Sequence, residues 1–150
     1  SASQVCLTGL PHRSASPAVP ARRAGGLNHF VLPAGRRRNG ATFYCREAIE
    51  ELVRRMTALG CLTMSLVAGV YGGASLFASG VNASPIGPQN FAMALEYLGA
   101  MNIPVVRRIS GGRHGLFIQL DTSTGDVMHR LVADNFKNST GARAGGTNWN

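Results

Sequence analysis

Apolar positions along this chain recur with two periods. Gln4 to Thr8 is a short apolar segment of strand length. Leu27 to Leu32 reads as a second strand, in which Leu27, Phe30, Val31 and Leu32 are apolar and Asn28 and His29 are not. Pro33 cannot donate to a ladder and should end it. The Gly25-Gly26 pair ahead of it permits a turn without a Cβ clash. From Ala41 to Leu59 the period becomes helical, since Ile49, Leu52, Val53 and Met56 fall at i, i+3, i+4 and i+7. Glu47, Glu50, Glu51, Arg54 and Arg55 cover the opposite face, with Glu50–Arg54 and Glu51–Arg55 as i,i+4 pairs in the favourable order. Gly60 is a natural stop. Met64 to Val70 is a nearly continuous apolar run, the pattern of a buried central strand, and it leads into Tyr71-Gly72-Gly73-Ala74-Ser75. A second helix has Pro88 in its first turn and a stripe of Phe91, Ala94, Leu95 and Leu98. Ile103 to Ile109 is the next strand. Leu116 to Leu120 and Val127 to Val132 form a hairpin across Thr122-Ser123-Thr124-Gly125. The order is not strictly βαβ, which predicts an α/β sandwich of the α+β kind, with a mixed sheet and two main helices.

The segments between are polar or rich in turn residues. Leu10 to Ala24 carries Pro11, Pro17 and Pro20 and reads as a long inserted loop, open to protease. Asp134 to Asn150 is polar and Gly-rich and should fray. With 150 residues and 45% of them hydrophobic, the expectation is one domain over residues 1–133, with the 10–24 loop inserted and a tail at 134–150. No apolar run reaches membrane-spanning length, and Ser1 to Gln4 lacks a signal-peptide pattern, so no membrane insertion is expected. Cys6, Cys45 and Cys61 are an odd set, which favours a reducing cytoplasm.

The formal charge of +8 suggests an acidic partner or a solvated basic surface. The arginines lie in short runs such as Arg36-Arg37-Arg38 and Arg107-Arg108, without the interleaved aromatics that favour nucleic acid, so no nucleic-acid partner is expected.

Candidate chemistry centres on His29, set inside an apolar strand beside a flexible turn. It is either a core histidine satisfied by a carbonyl or an acid–base group. His12, His29, His114 and His129 show no metal-ligand spacing with the cysteines, so no zinc site is expected. Gly72 and Gly73 either permit a tight strand exit or offer N–H groups to an oxyanion. Asn28 either holds a substrate amide or satisfies neighbouring backbone. Asp121, Thr122 and Thr124 read as turn chemistry, and Cys45 as a small buried thiol.

Gly25-Gly26-Leu27-Asn28-His29-Phe30-Val31-Leu32-Pro33 resembles the active-site histidine segment of the CheD family, the chemoreceptor glutamine deamidases of bacterial chemotaxis. The likeness continues in order through Tyr71-Gly72-Gly73-Ala74, Ile86-Gly87-Pro88-Gln89-Asn90, Ile103-Pro104-Val105-Val106, Gly111-Gly112-Arg113-His114-Gly115 and Asp121-Thr122-Ser123-Thr124-Gly125-Asp126-Val127, covering about residues 1 to 132. It implies a layered fold with both helices on one side, and hydrolysis of a glutamine carboxamide by a Cys–His pair through a thioester, without a cofactor. It implies His29 as the base. Ser1-Ala2-Ser3-Gln4-Val5-Cys6-Leu7 aligns with the family's nucleophile strand so that Cys6 matches a second, non-nucleophilic cysteine and Ala2 stands at the nucleophile position. Three readings stay open: a deliberate replacement of cysteine at Ala2, a natural pseudoenzyme, or Cys6 as the nucleophile in a shifted alignment. The family's supporting threonine lies upstream of where this sequence begins. The implied partners are chemoreceptor (methyl-accepting chemotaxis protein) cytoplasmic domains and a CheC-type phosphatase, and the alternative to an enzyme is a non-catalytic module binding either.

Overall fold

The computed structural model describes residues 3–9, 24–35, 44–74, 86–110, 112 and 114–132. Ala2, residues 10–23 of the expected loop and the 134–150 tail lie outside them. Strands β1 (Ser3–Gly9), β2 (Ala24–Phe30), β3 (Val67–Gly72) and β4 (Val105–Ser110) form a mixed sheet in the order β2-β1-β3-β4. β1 runs antiparallel to both neighbours, and β3 pairs with β4 in parallel. Helices α1 (Cys45–Ala58) and α2 (Ile86–Ala100) pack on one face of the sheet, and the hairpin of β5 (Gly115–Leu120) and β6 (Val127–Val132) lies over the other. This is the expected α+β architecture.

Alternation along β1 divides the two layers. Val5 and Leu7 are fully buried against the helices with Phe30, Ile49, Leu52, Met56, Val70 and Leu98. Gln4, Cys6 and Thr8 point the other way, toward the hairpin. Both helices end in the same device. After α1, Gly60 takes φ +89°, its N–H donates to Thr57 O, and Cys61 N–H donates to Met56 O. After α2, Asn102 takes φ +56°, its N–H donates to Gly99 O, and Ile103 N–H donates to Leu98 O. These paired bonds satisfy carbonyls that the last turn leaves orphaned. At the other end of α1 no side chain among the described residues caps the helix; instead Cys45 N–H donates to Leu32 O at 3.0 Å, which ties the helix start to the exit of β2.

Several boundaries differ from those expected, each for a local reason. β2 begins at Ala24, so Gly25 and Gly26 lie within the strand instead of turning ahead of it. Gly26 is there for packing: a Cβ on it would stand 2.6 Å from Leu52 Cδ1. Met64 is not part of a buried strand but 87% exposed, because Thr63–Ser65 forms a 3-10 turn closed by Ser65 N–H and Oγ–H, both donating to Leu62 O. On α1, Glu51 rather than Glu50 gathers the arginines. Arg54 and Arg55 both hydrogen-bond it at 2.8 Å, which holds its carboxyl down at about 2. Glu50 instead accepts from Arg46 and from the Tyr97 hydroxyl of α2, which links the two helices.

Gly73 closes the sheet's end with φ +70°, and a Cβ there would stand 2.8 Å from Phe91 Cβ on α2. Gly73→Ala therefore combines left-handed strain of about 1–2 kcal/mol with overpacking of about 1–3 kcal/mol. Urea unfolding of this variant should give a stability loss of about 2–5 kcal/mol, whereas an unchanged midpoint would mean the helix yields freely.

Candidate functional site

The site is assembled where β1 starts and where β2 and β3 end, at one edge of the sheet. The antiparallel ladder sets Ser3 opposite Phe30, Gln4 opposite His29, Val5 opposite Asn28 and Cys6 opposite Leu27. Cross-strand partners share a face, so His29 stands with Gln4 and Cys6 on the side away from the helices. Its ring is exposed rather than enclosed, which is not the surrounding of a core histidine. The only partner recorded for it among the described residues is Gln4, whose Nε2 donates to His29 Nδ1 at 3.4 Å. Gln4 Oε1, at the other end of that carboxamide, is buried without a partner among the described residues.

The backbone beneath is fixed by buried polar groups. Ser3 is fully buried, and its Oγ accepts from Gly73 N–H at 3.1 Å, clamping the start of β1 to the exit of β3. Asn90, on the buried face of α2, donates from Nδ2 to Val31 O at 3.0 Å and fastens the end of β2 just past His29. Asn28 is on the helix-facing side, where its Oδ1 accepts from Val5 N–H at 2.9 Å. Of the residues singled out from sequence, His29, Asn28, Gly72 and Gly73 thus meet at this edge. Gly72, at φ +118°, is the last residue of β3 and pairs with Ser3. The Asn28 oxygen and the Gly73 N–H are both already engaged in the fold. Gln4, Ser3 and Asn90 were not given roles from sequence. The signal for Asn90 was present, as a polar residue beside Phe91 on the inward stripe of α2; for Gln4 and Ser3 only the strand pairing reveals it.

Cys6 shares the face of His29 but is sealed, at 2% exposure, in the floor of a cleft of about 210 Å³ between the main sheet and the hairpin. Thr8, Tyr71, Arg107 and Asp126 line the same cleft, and His29 does not. Burial pushes the Cys6 thiol up to about 11. Cys45, at the start of α1, is pushed up to about 12 by burial and, secondarily, by the charge of Glu47, and burial raises Cys61 as well. None of the three has the lowered pKa of an activated thiolate. A two-unit rise lowers the thiolate fraction about 100-fold, so iodoacetamide at neutral pH should label Cys6 in the folded chain at least that much more slowly than in the unfolded one. Equal rates, followed by peptide mass spectrometry, would mean that the thiol is open.

Elsewhere the singled-out segments form turns. Asp121 Oδ1 accepts from Ser123 N–H, Ser123 Oγ–H and Thr124 N–H, and these bonds lower its carboxyl pKa. Gly112 is left-handed at φ +57°. Among the described residues no group of three or more His, Cys, Asp or Glu side chains could hold a metal ion, and no helix is long and apolar enough to cross a membrane.

Comparison with known proteins gives this edge a context. A family model described as CheD chemotactic sensory transduction matches residues 31–131, beginning two residues past His29. A probable chemoreceptor glutamine deamidase CheD of Rhodospirillum rubrum is 40% identical over 110 residues, covering 73% of this chain and 62% of that protein. One from Trichlorobacter lovleyi is 40% identical over 105 residues, covering 69% and 65%. A probable chemoreceptor glutamine deamidase CheD 2 of Geobacter metallireducens is 34% identical over 125 residues, covering 79% and 76%. The chain thus spans less than two thirds of the length of the first two relatives. With more than half of its residues inside the family match, and with these relatives agreeing, the chain belongs to the CheD family.

Proposed function

We propose that this chain carries the scaffold and the acid–base group of a protein-glutamine deamidase, a hydrolase acting on carboxamides of chemoreceptor (methyl-accepting chemotaxis protein) cytoplasmic domains. The observation that carries the reading is the agreement of relatives about 40% identical that are named probable chemoreceptor glutamine deamidases. The exposed ring of His29, at an edge held by buried hydrogen bonds, supports it.

In this reading a cysteine thiol gives its proton to His29, and the thiolate attacks the glutamine carboxamide carbon. The C=O electron pair moves to oxygen. When it returns, the C–N bond breaks and the nitrogen leaves as ammonia, taking the proton from the imidazolium. Water then attacks the thioester carbon and passes a proton to His29. The C–S bond breaks, the thiolate recovers its proton, and glutamate is released. No cofactor enters.

The nucleophile belongs at position 2. That assignment follows from the family alignment, in which Ala2 takes the place of the nucleophilic cysteine; Cys6, two residues after Gln4 on the face of His29, is the alternative. Cys6 is the poorer candidate, since with a thiol at about 11 only about one in 10⁴ is ionised at pH 7. With Ala2 in place the chain binds without turning over, and this one residue motivates the second reading, a non-catalytic module for chemoreceptors or a CheC-type phosphatase. Gly72, Gly73 and Asn28 shape the edge that receives the substrate carboxamide. The chain works in the cytoplasm, where its substrate domains lie. The test is incubation of an Ala2→Cys chain, with any segment that precedes Ser1 supplied, with a chemoreceptor cytoplasmic fragment, read by peptide mass spectrometry. Glutamines that all keep their amides would overturn the reading.

A further inference from the structure

We propose that Gln4 is a positioning residue for His29, whose carboxamide oxygen holds the ring in the tautomer a base requires; this rests on His29 being the base of the proposed deamidase. The ladder places Gln4 directly opposite His29, and Gln4 is the one residue among those described whose side chain reaches a ring nitrogen. The contact is to Nδ1, which leaves Nε2 as the nitrogen available to a nucleophile. For Nε2 to accept a thiol proton it must carry a lone pair, so in the neutral ring the proton must sit on Nδ1. A proton on Nδ1 needs an acceptor facing it, and once the ring is protonated both nitrogens become donors and the need is greater.

Gln4 can supply that acceptor. Its two carboxamide ends have nearly the same shape, and a half-turn of the amide exchanges them. With Nε2 toward the ring, Gln4 caps the Nδ1 lone pair and forces the proton onto the nitrogen that must accept one. With Oε1 toward the ring, it accepts from Nδ1–H and leaves the Nε2 lone pair free. Either orientation leaves one end of the amide buried without a partner among the described residues, so the fold is indifferent and the histidine decides.

The experiment is ¹⁵N NMR of the histidine ring nitrogens in the chain as it stands, at a pH where His29 is neutral, with His29→Gln used to assign the signals. A dominant Nδ1–H signal is expected. Gln4→Leu removes the acceptor and should lose that signal, the proton moving to Nε2, which it prefers in an unpartnered histidine. Gln4→Glu restores an acceptor and should recover it. A dominant Nε2–H form in the unaltered chain overturns the proposal, and so does a tautomer that is the same in all three proteins. Because the readout is a ring proton rather than turnover, a chain inactive for any other reason still gives the answer, and failure of the deamidase reading stays separate from failure of this one.

Discussion

Placing cysteine at position 2 should switch this chain from inert to active. As it stands, with Ala2, a chemoreceptor fragment should keep its glutamines at the background rate of spontaneous hydrolysis. With Ala2→Cys, and any segment that precedes Ser1 supplied, specific glutamines should become glutamates, and ammonia should appear in equal amount. The expected difference is on the order of 10⁶-fold in kcat, the scale of loss when a hydrolase is stripped of its covalent nucleophile. No other thiol is expected to substitute, since Cys6, Cys45 and Cys61 are all buried and burial pushes each upward in pKa. The converse outcome is equally sharp. Strong deamidation by the unaltered chain that disappears on Cys6→Ser would move the nucleophile to the cleft floor and end the assignment to position 2.

The second large effect concerns the base. In an Ala2→Cys protein, His29→Ala should cut turnover by roughly 10²–10⁴-fold. Folding should hardly change, because the ring is exposed and its one hydrogen bond among the described residues is the 3.4 Å contact with Gln4. A histidine that served packing would show the reverse, a lowered melting temperature with a normal rate per folded molecule. Thermal melts and deamidation rates measured on the same preparation separate the two, and the second pattern would end the catalytic assignment.

What could be read in the sequence is what short-range periodicity controls. Ile49, Leu52, Val53 and Met56 announced α1, and Gly60 its end, because a helix exposes its spacing and its cap in consecutive residues. The β5–β6 hairpin was legible for the same reason. The glycines misled at β2, because a missing side chain reads the same whether it serves a turn or, as at Gly26, the close approach of Leu52. His29 was found through its segment, but its surroundings were not. The clamp from Gly73 to Ser3, the tie from Asn90 to Val31 and the facing of Gln4 with His29 join residues far apart in the chain, and only strand pairing brings them together. The burial of Cys6 depends on the hairpin folding over it, which no local pattern around Cys6 foretells.

The alignment of β1 with β2 has a consequence for how uniquely the chain folds. In a tight hairpin the turn dictates which residues face each other. Here Gly9 and Ala24 close the ladder with residues 10–23 between them, too long a connection to enforce any one pairing. The choice must come from elsewhere, and it comes from Val5 and Leu7. A slip of one residue would turn both out of the core, at a cost of about 3–6 kcal/mol at 1.5–3 kcal/mol for each side chain. The same slip would carry Gln4 away from His29. The oily side of β1 thus acts as a proofreader for the polar side: the one-residue slip that would part Gln4 from His29 is the slip that turns Val5 and Leu7 out of the core.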